Sequence, residues 1–223
     1  THRAAIPQQT ATLAPGMQQY PKGALYFLAT PIGNLADLTL RAIHVLGLVD
    51  AVACEDTRVG GQLLQHLGLN KPLMAVHQHN EREAAQAMLA RLQQGERIAF
   101  ISDAGTPAVS DPGARLVAAL QAAEVRCVPI AGATALGAAL CVAGDEGDGA
   151  GFVFAGFVPS KGAARQQALA RLVKHPATTV VYESPHRIAA LASELAALAP
   201  ARTVTLAREL TKQFESVVTL QAL

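Results

Sequence analysis

The chain has 223 residues, 51% of them hydrophobic and 16% charged, with a net charge of +1. That supplies a core for one large or two small domains, and no run of 18 apolar residues offers a transmembrane helix. Trp is absent and aromatics are only 4%, so Ala, Leu and Val do the packing, which favours helices and tight parallel strands.

Residues 1–23 lack an apolar core of the signal-peptide kind and read as a flexible Gln/Pro/Thr/Ala-rich arm. The first half then alternates short apolar runs with helical patterns. The runs are ALYFLAT (24–30), AVACE (51–55), LMAVH (73–77), RIAFIS (97–102) and RCVPIA (126–131). They read as buried strands. The helical patterns between them are a face of Leu35, Leu38, Ala42, Val45 and Val49, a shorter one over 57–67, and a third through Ala85, Met88, Leu89 and Leu92, stopped by Gly95. A fourth opens at Asp111-Pro112, read as an N-cap and a first-turn proline. Such alternation predicts a parallel sheet covered on both faces.

GDEGDGAG (144–151) breaks the pattern and is the expected linker. Beyond it come FVFAGFV (152–158), a helix over 162–175, TTVVYES (178–184), a helix opened by Ser184-Pro185, TVTLARE (203–209) and FESVVTL (214–220). The expectation is two α/β domains, 24–143 and 152–223. Charge divides along the same line. Residues 24–149 carry 8 Lys/Arg against 13 Asp/Glu, and residues 150–223 carry 8 against 4, which suggests two parts with different jobs. The cysteines (Cys54, Cys127, Cys141) are odd in number and form no CxxC pair, so they read as reduced core residues.

Ligands of α/β sheets bind beyond the carboxyl ends of the strands. Those ends here read TPIGNL (30–35), EDTR (55–58), HQHNE (77–81), SDAGTP (102–107), AGATA (131–135), GFVPSKG (156–162), YESPHR (182–187) and ARELTK (207–212). Each alone is turn chemistry; their recurrence in both halves points to a ligand cleft between two domains. GxGxxG, GxxxxGK[ST] and GxSxG are all missing, although Glu55 lies 22 residues after Gly33, where a dinucleotide fold would hold a ribose. His77 and His79 share a strand face without an evident third ligand, so no metal is expected.

In this order, ATPIGNLADLTLRA, EDTR, HNE, FISDAGTPAVSDPG, FAGFVP, YESPHR and ARELTK resemble the tetrapyrrole methylase superfamily over residues 24 to about 215. The resemblance is narrower to the branch that methylates a cytidine 2′-hydroxyl in the decoding region of 16S rRNA. It implies two α/β domains, S-adenosylmethionine bound between them, a cytoplasmic homodimer, and the small ribosomal subunit as partner. The alternative is a small-molecule methyltransferase acting on a tetrapyrrole such as uroporphyrinogen or a precorrin. Pro31, Ser102, Asp103, Ala104, Thr134, Ala135 and Tyr182 match the family's cofactor positions. Ala131-Gly132-Ala133 stands where the family usually has Pro-Gly-Pro, and relatives usually continue past the position of Leu223.

Methyl transfer from a sulfonium is an in-line displacement, so oxygen, methyl carbon and sulfur must be held collinear. A 2′-hydroxyl also needs a proton acceptor. Glu55, Asp56, His79, Glu81 and Glu183 are candidates for that role, with Arg58 beside them in EDTR. Each carboxylate equally reads as a salt bridge or cap, and His79 as a polar strand-end residue. Arg58, Lys161 and Arg187 are candidates for RNA phosphate contact.

Overall fold

The computed structural model describes residues 18–77, 79–144 and 151–221. Most of the N-terminal arm and the centre of the linker lie outside them. The chain divides into two compact units, up to Thr134 and from Ala135.

The first unit holds five strands, β1 (Ala24–Leu28), β2 (Ala51–Cys54), β3 (Leu73–Ala75), β4 (Ile98–Ile101) and β5 (Arg126–Ile130), all parallel, in the order β3-β2-β4-β1-β5. Helices α1 (Leu40–Leu48), α2 (Thr57–His66), α3 (Glu81–Gln93) and α4 (Ala114–Ala122) cover it. On one face Tyr26, Leu28, Val52 and Ile101 pack with Val45, Leu46, Leu63 and Leu64. On the other Leu25, Ala53, Ile98 and Phe100 pack with Met88, Leu92, Leu116 and Leu120. Two covered faces explain why the strands are continuous apolar runs rather than alternating ones. Pro129 is tolerated in β5 because that strand is an edge, where a missing N–H costs no ladder bond.

Three local expectations are corrected. The first helical pattern splits into a 3-10 turn, Leu35–Asp37, and α1, whose cap is Thr39 accepting from Ala42 N at 3.1 Å. The fourth helix starts at Ala114, after Gly113 (φ 129°), so Asp111 is not its N-cap. The cap comes instead from a remote residue: Glu81 Oε2 accepts from Leu116 N, a first-turn donor, at 3.2 Å. Thr134-Ala135 was expected as a turn, but Ala135 opens helix α5 (Ala135–Val142). Its all-apolar sequence ALGAALCV carries no amphipathic period to announce a helix.

The second unit pairs β6 (Phe152–Phe157) with β7 (Thr178–Tyr182) in parallel, with α6 (Gly162–Lys174) as the crossover. Then follow α7 (Ile188–Leu198) and an antiparallel pair of β8 (Thr203–Arg208) and β9 (Ser216–Gln221). Val158, Leu169 and Leu191 centre a small core with Leu172, Val181, Ile188 and Leu195 around it. Arg202 clamps the end of α6, with Nη1 donating to Val173 O at 2.8 Å and Nη2 to His175 O at 3.2 Å. Among the described residues, no helix is long and apolar enough to cross a membrane.

Candidate functional site

Strands β1 and β4 are neighbours, yet α1, which follows β1, packs on one face of the sheet and α4, which follows β4, packs on the other. Connections that part to opposite faces open a crevice at the carboxyl ends of the strands, the place where ligands of open α/β sheets bind. The two loops at this crevice are stitched together. Thr30 N donates to Gly105 O at 2.9 Å and Gly105 N returns to Thr30 O at 3.1 Å. Thr30 Oγ1 donates to Ser102 O at 3.1 Å, and Ser102 Oγ to Gly105 O at 2.8 Å. A third loop joins through Thr106 Oγ1, which donates to Ala133 O at 3.2 Å.

The loop after β4 needs this bracing because its backbone is strained. Gly105 has φ 83°, and Ala108 (φ 65°) and Ser110 (φ 62°) occupy the same left-handed region without being glycine. Each of the latter costs about 1–2 kcal/mol, a reservoir typical of ligand-holding loops. Small residues at 104 and 131–132 leave main chain at the surface of the crevice; Ala104, Ala131 and Gly132 are exposed.

Four carboxylates, Glu55, Asp56, Asp103 and Asp111, gather here, and they are not equivalent. Asp56 caps α2, its Oδ1 accepting from Arg58 N at 2.8 Å and from Arg58 Nε at 3.0 Å. These bonds hold its carboxyl down to about 2. Its own N–H donates to Asp103 Oδ1 at 3.2 Å, joining the second and fourth strand ends. Glu55 is pushed up, first by burial and then by Asp103 and Asp56, with His77 opposing. Asp111 is raised to about 6, by burial first and then by Glu55 and Asp103. Sequence reading took Asp111 for a cap and missed it as an ionisable neighbour; nothing in the local Asp-Pro-Gly pattern signals the other two carboxylates.

This chemistry fits a cationic ligand. A sulfonium and an ammonium are attracted by such a rim, whereas a pyrophosphate is repelled. S-adenosylmethionine therefore fits, with Pro31, Ser102, Asp103, Ala104 and Thr134 all on the three loops. Of these, Asp103 offers an exposed side chain, while the Ser102 hydroxyl is spent on the loop itself.

The remaining candidates are dispersed in role. His77 and His79 lie with ring centroids 6.0 Å apart on the turn after β3. Glu81 is buried and committed to α4, so it is no proton acceptor for a ligand. In the second unit, the Tyr182 hydroxyl accepts from Leu136 N at 3.1 Å, in the first turn of α5 that Ala135 opens. Its ring stands edge-on to Phe154 and Phe157, at 4.8 and 5.6 Å.

Glu183 sits next to Tyr182 with its side chain 2% exposed. Its Oε1 accepts from Arg187 Nη2 at 2.6 Å and from Ser184 N at 2.8 Å, and its Oε2 lies 3.5 Å from Arg165 Nη1. Arg165, also buried, forks onto Glu194 through Nε and Nη2, at 2.6–3.0 Å. Sequence reading missed Arg165 and Glu194, whose only signal was a burial that helical spacing does not reveal. Beside them a pocket of about 280 Å³ opens between the first turns of α6 and α7, lined by Ser160, Lys161, Gly162, Arg165, Arg187 and Glu194. The N-caps are Lys161 and Arg187, and neither side chain bonds its own helix. Ser, Thr, Asp or Asn at each would stabilise the helix by about 1 kcal/mol, and cations there oppose the helix dipole.

Among the described residues, no cluster of three His, Cys, Asp or Glu is placed to hold a metal.

Comparison with known proteins accords with this geometry. The family described as Tetrapyrrole (Corrin/Porphyrin) Methylases matches residues 24–223. The chain is 48% identical over 197 residues to the ribosomal RNA small subunit methyltransferase I of Escherichia coli O157:H7, covering 88% of this chain and 68% of that protein. It is 49% identical over 194 residues to the protein of the same name from Synechocystis sp., covering 86% and 69%. Among solved structures, the uroporphyrin-III C-methyltransferase of Thermus thermophilus complexed with S-adenosyl homocysteine superposes with a TM-score of 0.62 at 21% identity, covering 89% of this chain and 88% of that one. A cobalt precorrin-4 methyltransferase superposes at 0.66 with 18% identity, covering 92% and 89%. These two share the fold. The chain belongs to the tetrapyrrole methylase family.

Proposed function

We propose that this protein transfers a methyl group from S-adenosylmethionine to the 2′-hydroxyl of a cytidine in the decoding region of 16S rRNA. The observation that carries the reading is its 48% identity, across nearly nine tenths of the chain, to proteins named ribosomal RNA small subunit methyltransferase I. Identity to the superposed tetrapyrrole enzymes is only 18–21%. A cytoplasmic homodimer acting on the small ribosomal subunit completes the proposal.

The bound cofactor supplies an electrophilic methyl group. The chain's part is to hold, orient and accept a proton. Asp103 receives the ammonium or ribose hydroxyls, and the Thr30–Gly105 bridge keeps the loop backbone at contact distance. Glu55 is the best-suited proton acceptor among the candidates, since burial and the neighbouring Asp103 raise its affinity for a proton above that of an ordinary carboxylate. Asp56 is held down by Arg58 and serves α2 and the loop junction instead. Arg58, 86% exposed at its side chain, remains available to a phosphate.

The test is transfer of tritium from labelled S-adenosylmethionine to three acceptors: isolated small subunits, free 16S rRNA and uroporphyrinogen. Label on the 2′-oxygen of one cytidine in the small subunit is expected. Label on uroporphyrinogen alone would assign the tetrapyrrole chemistry instead.

A further inference from the structure

We propose that the pocket between the first turns of α6 and α7 is a seat for a single phosphate group of the RNA backbone. Lys161, Ser160 and Arg187 are its ligands, and Glu183 is the residue that positions Arg187. The inference rests on the rRNA reading for the source of the phosphate and on this pocket for the rest.

The argument is an imbalance of charge. Lys161, Arg165 and Arg187 line the pocket, and both helices point their positive ends at it. Arg165 is spent, forked onto Glu194. Glu183 occupies one nitrogen of Arg187, Nη2, and turns its guanidinium without using up its other donors. Lys161 has no ion-pair partner among the described residues. The first N–H groups of α6 receive no side-chain cap and need an acceptor. An incoming anion would meet a lysine, an arginine fork, a serine hydroxyl and free helix N–H groups. That donor set recognises phosphate. The volume, below the about 300–1,000 Å³ of sites that enclose a drug-sized ligand, suits one phosphate with part of a sugar. The carboxylates of Glu183 and Glu194 face arginines, so a cation has no free oxygen pair to bind.

Two measurements test this on the full chain. Inorganic phosphate is titrated at constant ionic strength, with chloride as comparator, while the backbone amides of Gly162 and Ala163 are followed by NMR. Phosphate should shift both amides and chloride should not; Lys161→Ala should abolish the shift. Separately, binding to isolated small subunits is measured against salt. Losing one phosphate contact should reduce the slope of log K against log salt by about 0.7 in Lys161→Ala. Glu183→Gln should weaken small-subunit binding although it adds positive charge, and Glu183→Asp should restore it. Equal phosphate shifts and an unchanged salt slope in Lys161→Ala, an exposed position whose variant folds, overturn the seat. If small subunits are still methylated in that case, the rRNA reading stands without it. If phosphate binds as described and small subunits are never methylated, the seat stands and the rRNA reading falls.

Discussion

Thr30 and Gly105 exchange two main-chain hydrogen bonds, 2.9 and 3.1 Å long, between loops that leave neighbouring parallel strands for opposite faces of the sheet. The bridge ties these two connections into one floor. It also fixes Gly105 at φ 83°, where an added Cβ would lie 3.2 Å from Ile32 Cγ2.

Gly105→Ala should therefore strain the floor by about 1–2 kcal/mol. Calorimetry with S-adenosylhomocysteine should show roughly tenfold weaker binding, from the conversion of that energy. Unchanged affinity would mean that the β4 loop does not touch the cofactor.

Asp111 should make stability depend on pH in an unusual direction. Its folded pKa, about 6, lies above the ordinary 3.8. Between those values the folded state holds more protons than the unfolded state, so stability falls as pH rises through the window. After discounting for solvent screening the effect is about 1 kcal/mol. Asp111→Asn should raise the melting temperature at pH 7 and leave it unchanged at pH 4. A loss at both would place a hydrogen bond, rather than a charge penalty, at this position.

The fold was legible because parallel strands buried on both faces become continuous apolar words, and helices between them show their faces. The loops after β1, β2 and β4 were legible as well, since tight turns force Gly, Pro and Asp into view. Long-range substitutions for local rules were not. Glu81 caps a helix 35 residues onward, which no local pattern encodes. Nothing in YESPHR announces that Arg165, from another helix, comes to lie against Glu183. A helix as uniformly apolar as Ala135–Val142 has no period to detect.

Not every cation of the basic second unit is available to RNA. Arg202 donates to carbonyls at the end of α6, Val173 O and His175 O among them. Arg202→Ala should orphan these acceptors and lower stability by about 2–3 kcal/mol. Urea denaturation should register that loss while the salt dependence of small-subunit binding stays as in wild type. Lysine should rescue poorly, because a single ammonium cannot span the carbonyls that a guanidinium fork reaches. A reduced salt slope in Arg202→Ala would place this residue at the RNA.

Glu55 and Asp56 are adjacent in EDTR, yet their environments push them apart, and that separation assigns the proton acceptor. Burial and the neighbouring Asp103 raise Glu55, while the Arg58 bonds hold Asp56 down at about 2. The group with the higher proton affinity is the better acceptor for a 2′-hydroxyl, provided it is ionised at the working pH. Glu55→Gln should keep the fold and the affinity for S-adenosylhomocysteine but lower turnover about 10²–10⁴-fold. In wild type the rate should fall as pH drops through the raised Glu55 value, because the protonated acid cannot accept; the Gln variant should lack that acid limb. Asp56→Asn should behave differently. It weakens the α2 cap and frees Arg58, so stability should fall together with activity. Full turnover in Glu55→Gln, with the acid limb intact, would remove Glu55 from the reaction and leave Asp111, the other raised carboxyl of the crevice, as the group to test.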